Sequence, residues 1–166
     1  IRKQFGKDFI SLMPTNLYGP YDNFDLETSH VMPAMIRKFH EAKENDNSPV
    51  TLWGSESPMR EFLHVNDMAE AVVFAVENSF KDNLYNVGTG KDLTIKALAE
   101  LIQKITGHKG EIRWDSDKPD GTPRKLMDVS KMSAAGWQAK IGLEEGIKET
   151  YDWFLNNIGQ YKQVKL

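Results

Sequence analysis

The sequence predicts an α/β fold, on three observations. Short apolar runs alternate with longer stretches whose apolar residues recur every three or four positions. Clusters of glycine, proline and asparagine separate the two kinds of segment, and no repeat or low-complexity run breaks the alternation. Phe9, Ile10, Leu12 and Met13 begin it as a strand that runs into Pro14, which cannot donate to a central ladder. The chain is therefore expected to leave the sheet in a loop carrying Asn16, Tyr18 and Gly19. In an open α/β sheet such a loop, at the carboxyl end of a strand, is where ligands lie. Thr28-Ser29-His30 offers an N-cap for a helix over Val31 to Lys43, with Val31, Met35 and Phe39 on one face and Pro33 tolerated in the first turn.

The remaining elements follow from the same signals. Val50 to Trp53 reads as a short strand, Gly54 to Pro58 as a tight loop, and Arg60 to Val65 as a second strand. Asn66 then caps a helix whose apolar face, Met68, Ala71, Val72, Ala75 and Val76, is expected to be well buried. Leu84 to Val87 is a strand ending on Gly88-Thr89-Gly90, which lacks the third glycine of a dinucleotide fingerprint and reads as a plain turn. Thr94 opens a helix with Ile95, Leu98, Leu101, Ile102 and Ile105 at helical spacing, and Gly107 ends it. Strands follow at Glu111 to Asp115 and Arg124 to Val129, separated by a polar loop. A short helix covers Ser130 to Gly136. Gly142 to Asn157 is the closing helix, with Leu143, Ile147, Tyr151, Phe154 and Leu155 inward, and Gly159 to Leu166 is a polar tail expected to fray. Ile1 to Gly6 reads as the last turn of a helix, so the chain looks like a carboxyl-terminal part of something longer.

With 166 residues, 40% of them hydrophobic and 27% charged, the chain is long enough to bury a core. A formal charge of −3 argues against a partner bound by phosphate neutralisation, so no nucleic acid is expected. The absence of cysteine from this chain rules out disulfides, thiolate metal sites and a cysteine nucleophile within it, and fits a reducing, cytoplasmic setting. No stretch approaches the roughly 18 apolar residues of a membrane span, so no membrane partner is expected. His30, His40, His64 and His108 show no paired spacing, so no metal is expected.

The polar and cationic residues fall in the loops after successive strands: Asn16 and Tyr18, Trp53, Arg60, then Asp120, Arg124 and Lys125. An aromatic plate with several cations suits an aromatic base carrying a diphosphate, because a guanidinium pairs with phosphate in a bidentate way. Each residue also has a purely structural role open to it. Trp53 could fill core, Arg60 could pair with Glu61 or Asp67, Arg124 and Lys125 could line an exposed strand edge, and His30 could serve only as a cap.

The strings Met13-Pro14-Thr15-Asn16-Leu17-Tyr18-Gly19-Pro20, Ser29-His30, Trp53-Gly54-Ser55, Met59-Arg60-Glu61-Phe62-Leu63-His64-Val65, Asn86-Val87-Gly88-Thr89-Gly90 and Lys118-Pro119-Asp120-Gly121-Thr122-Pro123-Arg124-Lys125 resemble the GDP-L-fucose synthase family of extended short-chain dehydrogenase/reductases. The resemblance runs from about Gly6 to Asn157. It implies that residues 1–166 are the carboxyl-terminal part of an NAD(P)-dependent epimerase/dehydratase-type domain. That part would hold the last Rossmann strands and the small α/β substrate-binding lobe.

In such enzymes GDP-4-keto-6-deoxy-mannose is epimerised at two ring carbons and its ketone is reduced with NADPH. The resemblance implies that Pro14, Thr15, Asn16 and Leu17 line the nicotinamide end of the NADP site, and that His30 touches the cofactor and acts as an epimerisation acid. Lys38, Trp53, Arg60, Asp120 and Lys125 would hold the GDP-sugar. Lys38 departs from the arginine common in the family, keeping the charge but losing the planar fork. The resemblance also implies a homodimer for the full-length enzyme. The glycine-rich fingerprint and the Tyr-x-x-x-Lys pair are not in this sequence, so the amino-terminal cofactor-binding part is expected to lie outside it and the segment alone is expected to be inactive. A sister enzyme using another nucleotide sugar, and a non-catalytic sugar-nucleotide-binding module, remain the alternatives.

Overall fold

The computed structural model describes residues 2–160 and alternates strands with helices. The strands are β1 (Ser11–Pro14), β2 (Asn16–Tyr18), β3 (Val50–Trp53), β4 (Met59–His64), β5 (Leu84–Val87), β6 (Asp92–Thr94), β7 (Ile112–Asp115) and β8 (Arg124–Lys125). The helices are α1 (Arg2–Phe5), α2 (Val31–Glu44), α3 (Val65–Glu77), α4 (Ile95–Thr106), α5 (Ser130–Ala134) and α6 (Leu143–Asn156).

Strand β4 organises the fold. Its carboxyl half pairs in parallel with β2, Asn16 opposite Phe62 and Tyr18 opposite His64. Its amino half pairs antiparallel with β6 and parallel with β8, which sets Lys125 beside Arg60. Two further parallel pairs, β1 with β5 and β3 with β7, stand apart from this sheet. Successive side chains of a strand point to opposite faces, and β4 uses both. Phe62 enters a core built with Phe24, Ile36, Phe39, Leu98, Ile102, Ile147 and Phe154. Leu63 enters a second core with Ala71, Phe80, Tyr85, Val87, Met132 and Trp137.

Helix ends follow local chemistry. Thr94 accepts the Ala97 N–H at 3.1 Å and so caps α4, while Gly107 closes that helix in the left-handed conformation at φ 77°, where a Cβ would be strained. The periodicity of α2, α4 and α6 correctly gave their buried faces, with two residues turned out: Val31 is 37% and Leu155 40% exposed.

Several expectations need correction. Asn16 to Tyr18 is a strand rather than loop, because the chain crosses at Thr15 from the β5 ladder to the β4 ladder; Pro14 still pairs opposite Val87 and Thr15 donates to the Val87 carbonyl at 3.0 Å. The cap of α3 is His64, whose Nδ1 accepts the Asn66 N–H at 3.3 Å, rather than Asn66. The apolar face of α3 is only partly covered, with Ala71 buried but Val72, Val73 and Val76 exposed. Strand β8 stops at Lys125, and two residues on the Met127 N–H turns from the ladder to a side chain, the Glu61 carboxylate at 3.0 Å. Strand β6, which the sequence did not announce, precedes the Thr94 cap. Of the tail expected to fray, residues 161–166 lie outside the described residues.

Candidate functional site

The β1 to β2 crossing is a topological switch, with one strand pairing to β5 and its continuation to β4. Thr15 Oγ1 and Asn16 Nδ2 both donate to the Glu61 carbonyl, at 3.3 and 2.7 Å, so the side chains after Pro14 are held against β4. Leu17 packs toward the second core. Crevices of this kind, outside the carboxyl ends of strands where neighbours diverge, are the ligand positions of α/β sheets.

From Tyr18 the chain runs through a loop that is fixed at its middle. Phe24 is fully buried, its ring centre 4.9 Å from that of Phe154 and 6.0 Å from that of Trp153. One residue on, the Asp25 carboxylate accepts the N–H groups of Glu27 and Thr28 and the Thr28 hydroxyl, and these bonds hold its carboxyl below the usual range, that of the Thr28 hydroxyl first. The loop delivers His30 to the N-cap of α2, exposed and without a side-chain capping bond. Thr28 is committed to Asp25 and does not cap. Near His30, the Asp22 carboxyl is raised by burial, against lowering by the Asn23 amide and the His30 charge.

Eight residues along the same helix, about 12 Å of rise, stands Lys38. Its Nζ donates to the Thr51 carbonyl at 3.3 Å and lies 5.9 Å from the centre of the Trp53 ring; burial lowers its pKa. Trp53 is 67% exposed, which removes the core-filling alternative. The turn after it is tied down by Asp120, which accepts the Ser55 N–H at 2.5 Å and the Ser55 hydroxyl at 2.6 Å; these bonds, the hydroxyl first, lower the Asp120 carboxyl. Gly54 between them adopts φ 86°, and a Cβ there would run into the Asp120 carboxylate. Arg60 donates to its own neighbour, the Met59 carbonyl at 2.7 Å, and its guanidinium lies beside Gly121. Lys125 sits opposite it in the β4 to β8 register. The expected residues Lys38, Trp53, Arg60, Asp120 and Lys125 thus come from five separate segments to one exposed surface. Arg124 turns to Asp92 at 2.6 Å and does not join them.

The acidic partners considered for Arg60 are engaged elsewhere, and these are the residues sequence reasoning missed. Glu61 is fully buried and accepts the N–H groups of Gly90 at 2.7 Å and Met127 at 3.0 Å. Asp67, also buried, accepts those of Lys140 at 3.1 Å and Ile141 at 3.0 Å. The one signal in the sequence was an acidic residue, Glu61, directly before the apolar pair Phe62-Leu63 of the expected strand. A pocket of about 630 Å³ opens between β6 and the segment leading to α6, lined by Phe62, Leu93, Trp137 and Lys91, with Tyr18 reaching it from the end of β2. Burial there raises the Tyr18 hydroxyl well above its usual value, assisted by Asp67, Glu149 and Glu145. The Trp53 surface lies outside that pocket. Among the described residues no group of acidic and histidine side chains is arranged to hold a metal ion, and no helix is long and apolar enough to cross a membrane.

Comparison with known proteins gives a consistent picture. Residues 1–88 match the NAD dependent epimerase/dehydratase family. The chain is 53% identical over 157 residues to GDP-L-fucose synthase 1 of Arabidopsis thaliana, covering 95% of this chain and 49% of that one. It is 48% identical over 169 residues to the GDP-L-fucose synthase of Escherichia coli K12, covering 96% and 53%. Among solved structures, a GDP-L-fucose synthetase from Naegleria fowleri superimposes with a TM-score of 0.88 at 29% identity, over 98% of this chain and 51% of that one. The chain spans about half the length of the relatives it matches. By its α/β fold, its sheet switch and this match, the chain belongs to the NAD dependent epimerase/dehydratase family.

Proposed function

We propose that this chain is the substrate-binding half of an NADP-dependent enzyme that converts GDP-4-keto-6-deoxy-mannose to GDP-L-fucose by epimerisation and ketone reduction. The observation that carries the reading is the clustering of cations around the exposed Trp53 turn: Lys38 lies over the ring, Arg60 and Lys125 stand opposite each other on β4 and β8, and Asp120 ties the loop that touches Arg60 to Ser55 beside Trp53. A guanidinium and two ammonium groups answer the charge of a diphosphate, and an exposed indole offers a face for a base or sugar. The named activities of the relatives agree with it.

His30 is the proposed acid, returning a proton to a ring carbon beside the ketone; its exposed place at the head of α2 leaves the imidazole open to a substrate seated along that helix. Pro14, Thr15, Asn16 and Leu17 would hold the nicotinamide end of NADPH at the sheet switch. The fit rests on the place of the crossing, where Thr15 and Asn16 are pinned to the Glu61 carbonyl at the point at which the two ladders diverge. When bound, that cofactor supplies the hydride. The rest of the cofactor site, a homodimeric assembly and a cytoplasmic location belong to the same proposal for the whole enzyme.

The test is Arg60→Lys in the full-length protein. Charge is retained while the fork is lost, so the KM for the GDP-sugar should rise by tenfold or more, since hydrogen bonds to charged groups contribute about 1.5–3 kcal/mol and an exposed ion pair about 0–1. KM and kcat near wild type would refute the assignment.

A further inference from the structure

Two ammonium groups, not one, lie over the Trp53 ring. Lys38 comes from α2, and Lys118 comes from the loop after β7, its Nζ 5.6 Å from the same ring centre. A cation over an exposed indole contributes about 0.5–1 kcal/mol, and a second cation on one ring adds repulsion against the first. Neither lysine has a carboxylate within ion-pairing distance among the described residues, although lysines elsewhere on this chain, Lys96, Lys104, Lys131, Lys140 and Lys148, do. Of the two carboxylates in that loop, Asp117 and Asp120, the latter has both its oxygens taken by Ser55. The result is two ammonium groups on one aromatic plate, neither of them in a direct ion pair among the described residues, with Asp115, opposite Trp53, engaged by the Asp117 N–H and Asp120 by Ser55.

Lys118 is also held in place. Its own N–H donates to the Asp115 carbonyl at 3.2 Å, the Asp117 N–H donates to the Asp115 carboxylate at 3.2 Å, and two residues beyond Lys118 the Asp120 clip fastens the loop to Ser55. Gly121, next in the loop, lies against the Arg60 guanidinium. A side chain carried on a braced backbone loses less freedom when it engages a ligand than one on a free loop.

We propose that Lys118 is a further diphosphate-binding residue, paired with Lys38 across Trp53 and positioned by the Asp120–Ser55 clip. This rests on the nucleotide-sugar reading above. An anion between the two ammonium groups removes their repulsion, and the shared ring sets how far apart they stand.

The experiment is calorimetric titration of the full-length protein with GDP and with guanosine, for wild type, Lys118→Ala, Lys118→Arg, Ser55→Ala and the control Arg60→Lys. Lys118→Ala should weaken GDP about tenfold, the loss of one charge-assisted contact, and flatten the dependence of GDP affinity on salt. Guanosine affinity should stay within twofold, and Lys118→Arg should retain most of the GDP affinity. Ser55→Ala should weaken GDP by a smaller factor, and the double variant with Lys118→Ala should be no weaker than Lys118→Ala alone. If Arg60→Lys weakens GDP while Lys118→Ala does not, or if Lys118→Ala weakens guanosine and GDP alike through lost ring packing, the role of Lys118 is overturned and the nucleotide-sugar reading stands. If wild type does not bind GDP, or Arg60→Lys leaves GDP binding unchanged, both fall.

Discussion

Replacing Glu61 by alanine should come close to unfolding the protein, although the residue touches no proposed ligand. Its carboxylate is fully buried on β4 and receives the N–H groups of Gly90 at 2.7 Å and Met127 at 3.0 Å. Thr89 Oγ1 approaches it at 3.4 Å but also reaches the Lys91 carbonyl at 3.2 Å, so that hydroxyl keeps a partner. Alanine strands two backbone donors, at about 1–3 kcal/mol each, and removes the packed methylenes, about 1 kcal/mol more. Relief of the cost of burying a carboxylate offsets part of this. A net loss of about 3–5 kcal/mol is expected against a total stability of about 5–15. Glu61→Gln keeps the shape but turns an amide NH₂ toward one of the two donors, and should fall between wild type and alanine. Urea unfolding of the full-length protein followed by tryptophan fluorescence measures the loss, and hydrogen exchange at Gly90 and Met127 locates it. A Glu61→Ala midpoint corresponding to less than 1 kcal/mol, or unchanged exchange at those amides, would refute the reasoning.

Other consequences are as direct. Phe24→Ala, which removes a fully buried ring from between Trp153 and Phe154, should cost about 3–5 kcal/mol and lower the thermal midpoint by several degrees; a shift under one degree would show the loop is held otherwise. Burial lowers the Lys38 pKa from 10.5, so the unfolded chain holds that proton longer and this lysine makes stability rise with pH between its folded value and 10.5. A bound diphosphate should raise it again, so GDP binding just below pH 10.5 should take up protons, read as a buffer-dependent binding enthalpy; equal enthalpies in buffers of different ionisation heat would contradict this. His30→Asn should abolish solvent-deuterium incorporation at one of the two sugar carbons, a loss of about 100-fold or more, with NADPH affinity changed much less. Normal wash-in at both carbons by NMR would make His30 structural.

What the sequence made legible was local. Helices α2, α4 and α6 carry their periodicity within a few turns, so their inward faces could be read directly, and the turn and cap residues Thr94 and Gly107 act on their own neighbours. Strand β2 was read as loop because Pro14 ends one ladder, and nothing near Asn16 reveals that Phe62 to His64 waits to start another. On α3 the periodicity reported which residues are apolar, not which are covered; Val72 and Val76 lie on its expected inward face yet stand exposed among the described residues. The surface around Trp53 was legible as a set of residues from their strings, while its geometry depended on β8 falling beside β4, a pairing of two residues only.

That short pairing explains why two acidic residues matter to a cationic surface they never touch. Hydrogen bonds from a side chain to a distant backbone N–H leave no mark in sequence, because every residue but proline offers the same donor. Glu61 fixes Met127 just past β8, and Asp67 fixes Lys140 and Ile141 just before α6, so two buried carboxylates fasten both ends of the segment from 127 to 141 to β4 and α3. Had either carboxylate paired with Arg60, as the sequence allowed, the guanidinium would have been neutralised within the protein. Committing both to backbone donors keeps Lys125 in register beside Arg60 and leaves Asp120, itself bound to Ser55, as the carboxylate whose charge the guanidinium feels. The electrostatics of the proposed diphosphate site are in this sense set from the core, and a variant that frees Glu61 should disturb the site first by offering Arg60 a new partner and only second by loosening the strand.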